Sequence, residues 1–342
     1  MSRVKAVSLF SGGLDSILAT RLILNQGIDV VAFNLKTLFG VSKKDGVSEA
    51  EAAVLQLGVP LKVVSADREY IRMLRNPKFG YGKNFNPCID CKIFILKQAV
   101  KFAREVGADF LFTGEVLGER PMSQHGPALR LIEKEAGLKG KLLRPLSAQL
   151  LSETLVEKRG LVDRSRLLGI SGRSRRPQFQ LAKEFGITVF PSPAGGCLLT
   201  CEEYAKKLCD LFEFKKFVSV ADVELLRFGR HFRFGVNKIV VGRNEAENKV
   251  LMSSKGMGDY CFELPDIVGP ITILQGVKSR VAVECAAQLT AFYSDAKTEK
   301  VKVSYGRGVL DKSLTVLVPT REEVDNLRAG QKKLTVSSKV VA

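Results

Sequence analysis

The run Val4 to Phe10 is short, apolar and β-rich. It stops at Ser11-Gly12-Gly13 and gives way to Leu14 to Gln26, with apolar residues at Leu14, Ile17, Leu18, Leu22 and Ile23. A strand that turns through two glycines straight into a helix constrains this chain more than any other feature. The helix must cross back over a sheet before the next strand can pair, so that neighbour runs parallel. The alternation then repeats. Asp29 to Leu35 reads as a strand, Val47 to Leu57 as a helix closed by Gly58, and Leu61 to Ser65 as a strand. Cys91 to Val106 reads as a helix ending at Gly107, and Asp109 to Phe112 as a buried strand. The expected class is α/β, a parallel sheet with helices on both faces.

From Leu142 to Phe190 the pattern loosens into short helices and an Arg-rich stretch, and Glu202 to Leu211 reads as a helix. Beyond about Val218 the character changes. Arg233 to Arg243, Tyr260 to Leu264, Gly269 to Leu274 and Val301 to Tyr305 read as strands, with one helix at Val281 to Tyr293. The boundary is placed near residue 215, giving domains 1–214 and 215–342, the second a smaller α+β domain. Residues 331–342 read as a frayed end or an edge strand.

Against 53 Lys and Arg stand 36 Asp and Glu, a formal charge of +17 with a pI near 9.6. That excess points to a polyanionic partner, with a solvated basic surface as the equal alternative. No apolar run reaches the roughly 18 to 20 residues a membrane helix needs. Seven cysteines, an odd number behind an N-terminus without signal-peptide layout, argue against a disulfide framework and for a cytoplasmic protein.

Ser11-Gly12-Gly13-Leu14-Asp15-Ser16 lies where free N–H groups and the helix dipole favour an anion, and the two glycines let the backbone close around phosphate oxygens. Ser11 and Ser16 add hydroxyl donors. Asp15 suits a phosphate site only with a divalent cation, Mg²⁺; otherwise it simply caps a glycine turn. The Walker A spacing and its Lys are missing. This segment resembles the signature of the PP-loop ATP pyrophosphatases. The resemblance implies an adenine nucleotide alpha hydrolase-like sheet, ATP on Ser11, Gly12, Gly13, Asp15 and Ser16, and activation of a carbonyl oxygen as its adenylate. It also implies that the strand end around Phe33-Asn34-Leu35 lies near the adenine.

Asn86-Pro87-Cys88-Ile89-Asp90-Cys91-Lys92 opens a helix with two thiols on its first turn, and Cys197 follows Gly195-Gly196 far downstream. Three thiols can hold three irons of a 4Fe-4S cluster and leave the fourth open to carry sulfide. Zinc completed by Cys201, and a metal-free persulfide or disulfide, are the alternatives. The cluster-bearing tRNA thiolation enzymes among the PP-loop proteins are similar in having a CxxC and a distant third cysteine. Cys209, Cys261 and Cys285 read as core residues.

The stretch Thr113-Gly114-Glu115 to Ser123-Gln124, followed by Leu143-Arg144-Pro145-Leu146, resembles 4-thiouridine synthetases. That implies that Gly114, Glu115, Ser123 and Gln124 approach the nucleotide or the target base. Read alone, Glu115 is a helix-terminal acid and Arg144 a surface ion-pair partner. Arg173, Arg175 and Arg176, with Gln178 beside them, form a basic cluster suited to a phosphate backbone, with a solvated surface as the alternative. Val240-Val241-Gly242-Arg243-Asn244, followed by Gly258-Asp259-Tyr260, resembles the NFACT-type RNA-binding domain. Arg230 and Arg233 are then candidate RNA contacts, with Phe232 and Phe234 either stacking or core. Two histidines, His125 and His231, support neither a metal site nor a Ser-His-Asp triad.

The resulting expectation is an ATP-dependent tRNA sulfurtransferase making thiouridine, with 4-thiouridine favoured over 2-thiouridine. Its partners are tRNA and either sulfide or a sulfur-donor protein, no membrane is involved, and a homodimer is compatible with the sequence. A PP-loop enzyme acting on a small molecule and a non-catalytic RNA-binding protein are the other classes.

Overall fold

The computed structural model describes residues 3–40, 49–191 and 196–330. The chain divides into two compact units, the first ending at Thr200 and the second beginning at Cys201. The first unit runs β1 (Lys5–Leu9), α1 (Leu14–Leu24), β2 (Asp29–Lys36), α2 (Glu49–Leu57), β3 (Leu61–Ser65), α3 (Arg68–Arg75) and α4 (Cys88–Glu105). It continues through β4 (Phe110–Thr113), α5 (Gly126–Glu135), β5 (Leu142–Leu143), α6 (Leu155–Lys158) and α7 (Arg176–Glu184). All five strands are parallel, in the order β3-β2-β1-β4-β5.

Both faces of this sheet are covered because alternate side chains point opposite ways. Ala6, Phe110 and Phe112 pack with Leu14, Ile17, Leu18 and Ala182 on one face. Val7, Phe33 and Leu111 pack with Ile89, Ile93, Leu96 and Ile132 on the other. Chain order reverses between β1 and β4, so the crevice for a ligand lies where the loops after these two strands diverge. Sequence periodicity did not mark α3, a short helix capped by Asp67, whose side chain accepts from the N–H groups of Glu69 and Tyr70.

The second unit comprises α8 (Glu202–Phe214), α9 (Val220–Leu225), β6 (Arg230–Phe234), β7 (Asn237–Val241), α10 (Glu245–Ser254), β8 (Tyr260–Glu263), β9 (Thr272–Gln275), α11 (Arg280–Phe292), β10 (Lys300–Gly306), β11 (Lys312–Leu317) and α12 (Arg321–Asn326). Its six strands form an antiparallel sheet ordered β11-β10-β8-β9-β7-β6. Phe232, Ile239, Phe262, Leu274, Val301 and Val303 face α11. Val240 and Ile273 face Leu225 of α9 and Leu251 of α10.

The span Arg233 to Arg243, expected as one strand, belongs instead to the hairpin β6–β7. Gly235, at φ +55°, supplies the left-handed conformation that its two-residue turn needs. The units divide at residue 200 rather than near 215 because α8 packs within the second. Tyr204 Oη–H donates to the Val223 carbonyl (3.2 Å), and Arg233 Nε donates to Asp210 Oδ1 (3.0 Å). The C-terminal end expected to fray, 331–342, lies outside the described residues, as do Val47 and Ser48 of the second expected helix and Ala194-Gly195 before Cys197.

Candidate functional site

The loop after β1 opens at Gly12, whose φ of +81° only glycine adopts freely. Helix α1 starts with no side chain capping it, so its first N–H groups remain open to a ligand. Ser16 Oγ–H donates to the Gly13 carbonyl (2.7 Å), and Gly13 N–H donates weakly to Ser11 Oγ (3.3 Å). The exit of β4 comes directly against this loop. A Cβ on Gly114 would sit 2.5 Å from the backbone carbon of Asp15 and 2.5 Å from the Ser16 nitrogen. Gly114 is therefore a glycine because two backbones meet there.

Arg175 Nη2 donates to Asp15 Oδ2 at 3.0 Å, and its Nε lies 3.9 Å from Glu119. The arginine is delivered by local pairing. Gly172 N–H donates to the Leu117 carbonyl (2.7 Å), and Leu117 N–H donates to Ser147 Oγ (2.9 Å). Among the described residues Asp15 Oδ1, Arg175 Nε and both amide atoms of Gln178 are buried without a hydrogen-bond partner. Such groups cost free energy unless a ligand completes them. Arg173 and Arg176 are exposed.

Glu115 is 4% exposed, held by Lys92 Nζ (3.0 Å) and Arg144 Nε (3.1 Å). Burial pushes its carboxyl up, but the two cations outweigh burial and hold it down at about 2. Arg144 also pairs with Glu133 and is 3% exposed, a buried ion-pair residue rather than the surface partner expected. Ser123 and Gln124 are buried as well, and Gln124 Oε1 accepts from Arg120 N–H at 3.1 Å to shape the loop from within. Phe33, expected beside the adenine, is 2% exposed and stacks on Phe102 at 5.4 Å in the core. Its neighbour Asn34 donates to the Phe10 carbonyl (2.7 Å), tying β2 to the entrance of the loop.

Cys88, Cys91 and Cys197 lie within electrostatic range of one another. Leu198 N–H donates to the Phe39 carbonyl (2.9 Å), Phe85 N–H to the Leu199 carbonyl (3.2 Å), and Asn84 Nδ2 to the Thr200 carbonyl (2.8 Å). These bonds bring Cys197 beside the first turn of α4. Tyr70, 1% exposed between Phe39 and Phe94, shares a hydrogen bond with Cys91 Sγ (3.1 Å) and lies within electrostatic range of Cys88 and Cys197. Burial pushes the Cys91 thiol up to about 11 and raises Cys197. Among the described residues no three His, Cys, Asp or Glu side chains are arranged to hold a metal ion, such as the expected cluster or zinc. Nothing in the sequence around Tyr70 marks it, since only the fold brings it to Cys91. Asp90 was readable only as a member of the motif. It accepts from the N–H groups of Lys78 (2.8 Å) and Phe79 (3.0 Å) and anchors the preceding loop on α4.

In the second unit Arg233 forms a two-pronged pair with Asp210 (3.0 and 2.5 Å) and covers the Phe214 ring. Arg230 donates to the Gly242 carbonyl (3.1 Å) and lies over Tyr293. Phe232 is core, Phe234 packs against it, and Cys261 and Cys285 are buried. His231 is buried with its Nε2 2.7 Å from the Phe228 carbonyl, and burial holds its pKa well below the usual range. His125 caps α5. Among the described residues no helix is long and apolar enough to cross a membrane.

Residues 1–155 match the family model described as thiamine biosynthesis protein (ThiI), and residues 229–328 match the NFACT protein RNA binding domain. A tRNA-specific 2-thiouridylase of Syntrophotalea carbinolica is 31% identical over 113 residues, 30% of this chain and 32% of that protein. One from Rippkaea orientalis is 24% identical over 257 residues, 70% of this chain and 68% of that protein. The chain spans 32% and 35% of the length of two of the curated relatives it matches, the second from Geobacter metallireducens. A solved 4-thiouridine synthetase–RNA complex with bound ATP is 20% identical, with a TM-score of 0.36, over 65% of this chain and 52% of that one.

Proposed function

We propose, from the premise that residues 1–155 belong to the ThiI family of PP-loop proteins and residues 229–328 to the NFACT-type RNA-binding domains, that this chain is an ATP-dependent tRNA thiolating enzyme. One observation carries the reading: the glycine loop after β1 and the exit of β4 meet at Gly114 at the switch point, with Asp15 Oδ1 buried and unpartnered beside them. ATP would lie with its phosphates on the Ser11 to Ser16 loop, facing the free N–H groups and positive end of α1. Mg²⁺ accompanying the nucleotide would be held by Asp15 and would neutralise phosphate charge. Arg175, which pairs with Asp15, is placed to donate to a phosphate oxygen as well.

In this reading a uridine carbonyl oxygen attacks the α-phosphate and pyrophosphate leaves. A sulfur nucleophile then attacks the activated carbon, and AMP departs with the original oxygen. The Cys88, Cys91 and Cys197 group handles the sulfur, drawn from sulfide or a donor protein. Lys92 follows Cys91 directly and pairs with Glu115 after β4, linking the thiols to the nucleotide crevice. Arg173 and Arg176 face the tRNA backbone. The C4 carbonyl is the favoured target and C2 the alternative.

The test is nucleoside mass spectrometry of tRNA incubated with ATP, Mg²⁺ and sulfide. Thiouridine should form together with AMP and pyrophosphate, and Asp15→Asn should reduce all three by about a hundredfold or more; adenylation of a small molecule without RNA would overturn the reading. Anaerobic purification with iron and zinc analysis, on the parent and on Cys197→Ala, then reads the form of the sulfur site. Close to four irons per chain, lost in the variant, would support a three-cysteine cluster. No metal, together with a cysteine persulfide formed by transfer from a sulfane-sulfur donor protein, would support thiol-borne sulfur, the disulfide left after transfer being reopened by an added thiol reductant.

A further inference from the structure

The arginines of β6 are engaged within the fold, yet another cationic group in the second unit forms no ion pair among the described residues. At the end of the sheet where β9 leads into α11, the half-buried Tyr260 ring collects three cations. Lys278 Nζ lies 5.7 Å from its centroid, Arg307 Cζ 5.8 Å and Lys312 Nζ 5.8 Å. Tyr305 packs against Tyr260 at 5.7 Å and stacks on Phe262 at 5.4 Å, so the ring is braced from the core. Lys278 is aimed by its own bonds, donating to the carbonyls of Leu274 (2.8 Å) and Gly276 (2.9 Å).

Among the described residues none of the three cations forms an ion pair, whereas Arg233, Arg243, Arg321 and Arg328 are each matched by a carboxylate. Asp259 attracts Lys278 from beyond ion-pair distance, while its Oδ2 accepts from Gly256 N–H (2.8 Å) and Gln275 Nε2 (3.1 Å). Three like charges around one aromatic ring repel one another, and an anionic strand with flat bases relieves that repulsion while using the ring.

We propose that Tyr260, Lys278, Arg307 and Lys312 form a binding site for a single-stranded RNA segment, one unstacked base lying on Tyr260 and the flanking phosphates on the three cations. The inference rests on the RNA reading of this domain and assigns its contact to this end of the sheet rather than to Arg230 and Arg233. A duplex keeps its bases stacked on one another and would engage the cations alone.

The test uses the full chain and two fluorescent probes, an unstructured RNA oligonucleotide and a fully paired RNA of the same length, followed by anisotropy across a salt series. The parent should bind the single strand more tightly. Tyr260→Leu should weaken that binding by about tenfold and leave the duplex unchanged, with Tyr260→Phe retaining it. The exposed double variant Arg307→Gln with Lys312→Gln should lower the slope of log affinity against log salt by about 1.4, from about 0.7 per phosphate contact. Lys249→Gln, an exposed change elsewhere, should leave affinity unaltered.

If the parent binds RNA and the Tyr260 and Arg307/Lys312 variants bind equally well at every salt concentration, this site is overturned while the RNA reading stands. If the parent binds neither probe, the RNA reading fails and the site falls with it. Binding to vesicles of anionic phospholipid but not to RNA, sensitive to the same substitutions, would assign the patch to membrane headgroups and overturn the proposal.

Discussion

Arg173 and Arg176 in the first unit, and Arg230 and Arg233 in the second, look alike in sequence as basic residues beside aromatic or polar neighbours. The fold treats them differently. Arg173 and Arg176 remain exposed next to Arg175, which itself bridges to Asp15 on the glycine loop. Arg233 instead meets Asp210, whose side chain is 3% exposed, and Arg230 is drawn onto Tyr293 and a backbone carbonyl. A cation already bonded inside its own unit helps hold that unit together; a cation without a partner offers its charge to something else. The glycine loop extends the contrast, because Asp15, Arg175 and Gln178 keep buried polar atoms unsatisfied there.

The contrast breaks most readily at the buried pairs. Arg233→Ala leaves Asp210 buried without its cation and should cost about 3–5 kcal/mol in chemical denaturation, with the salt dependence of RNA binding unchanged. An undiminished stability would mean that the pair contributes nothing and that Arg233 is available to RNA after all. Arg144→Met should destabilise the first unit by a similar amount, since Glu115 and Glu133 both lose a buried partner.

At the loop, Asp15→Asn should reduce pyrophosphate release by about a hundredfold or more while leaving the circular dichroism spectrum intact. Gly114→Ala forces a methyl into the Asp15–Ser16 backbone and should cost about 1–3 kcal/mol together with nucleotide affinity. An alanine variant that binds ATP normally would show that the two backbones need not meet.

The sign of the acid response follows from Glu115. Its folded-state carboxyl titrates at about 2, below the ordinary value near 4.3, so its stabilising contribution is present above the ordinary value and is lost as pH falls toward 2. Arg144→Met should flatten that acid transition. The smallest effect is expected for Arg173→Gln with Arg176→Gln, which should leave thermal stability within about 0.5 kcal/mol and reduce the salt slope of tRNA binding by about 1.4.

The parallel sheet was legible because its strands and helices carry local periodicities, and the helix ends at Gly58 and Gly107 fall at left-handed glycines. The β6–β7 hairpin was harder to read because Gly235-Val236 interrupts a continuous β-rich stretch with only two residues. Strand β11 escaped notice because five of its six residues are not fully buried, which leaves little alternation to read. Within the candidate site, the glycine loop and the two thiols of α4 were visible because each acts through neighbours a few positions away. Tyr70 was not, since it belongs to no motif and takes its place from chain segments distant in sequence.

The sequence by itself determined a glycine loop at a helix N-terminus, a thiol pair on a first helical turn, and a large excess of positive charge. Short-range geometry and simple counting set those properties, and any fold containing the segments would keep them. Only the tertiary structure decided that Cys197 joins the thiol pair, that β4 presses Gly114 onto Asp15 and Ser16, and which arginines keep their charge unpaired. Those outcomes depend on segments up to 160 residues apart, as for Asp15 and Arg175, and a one-dimensional pattern does not record which distant partner reaches a charge first.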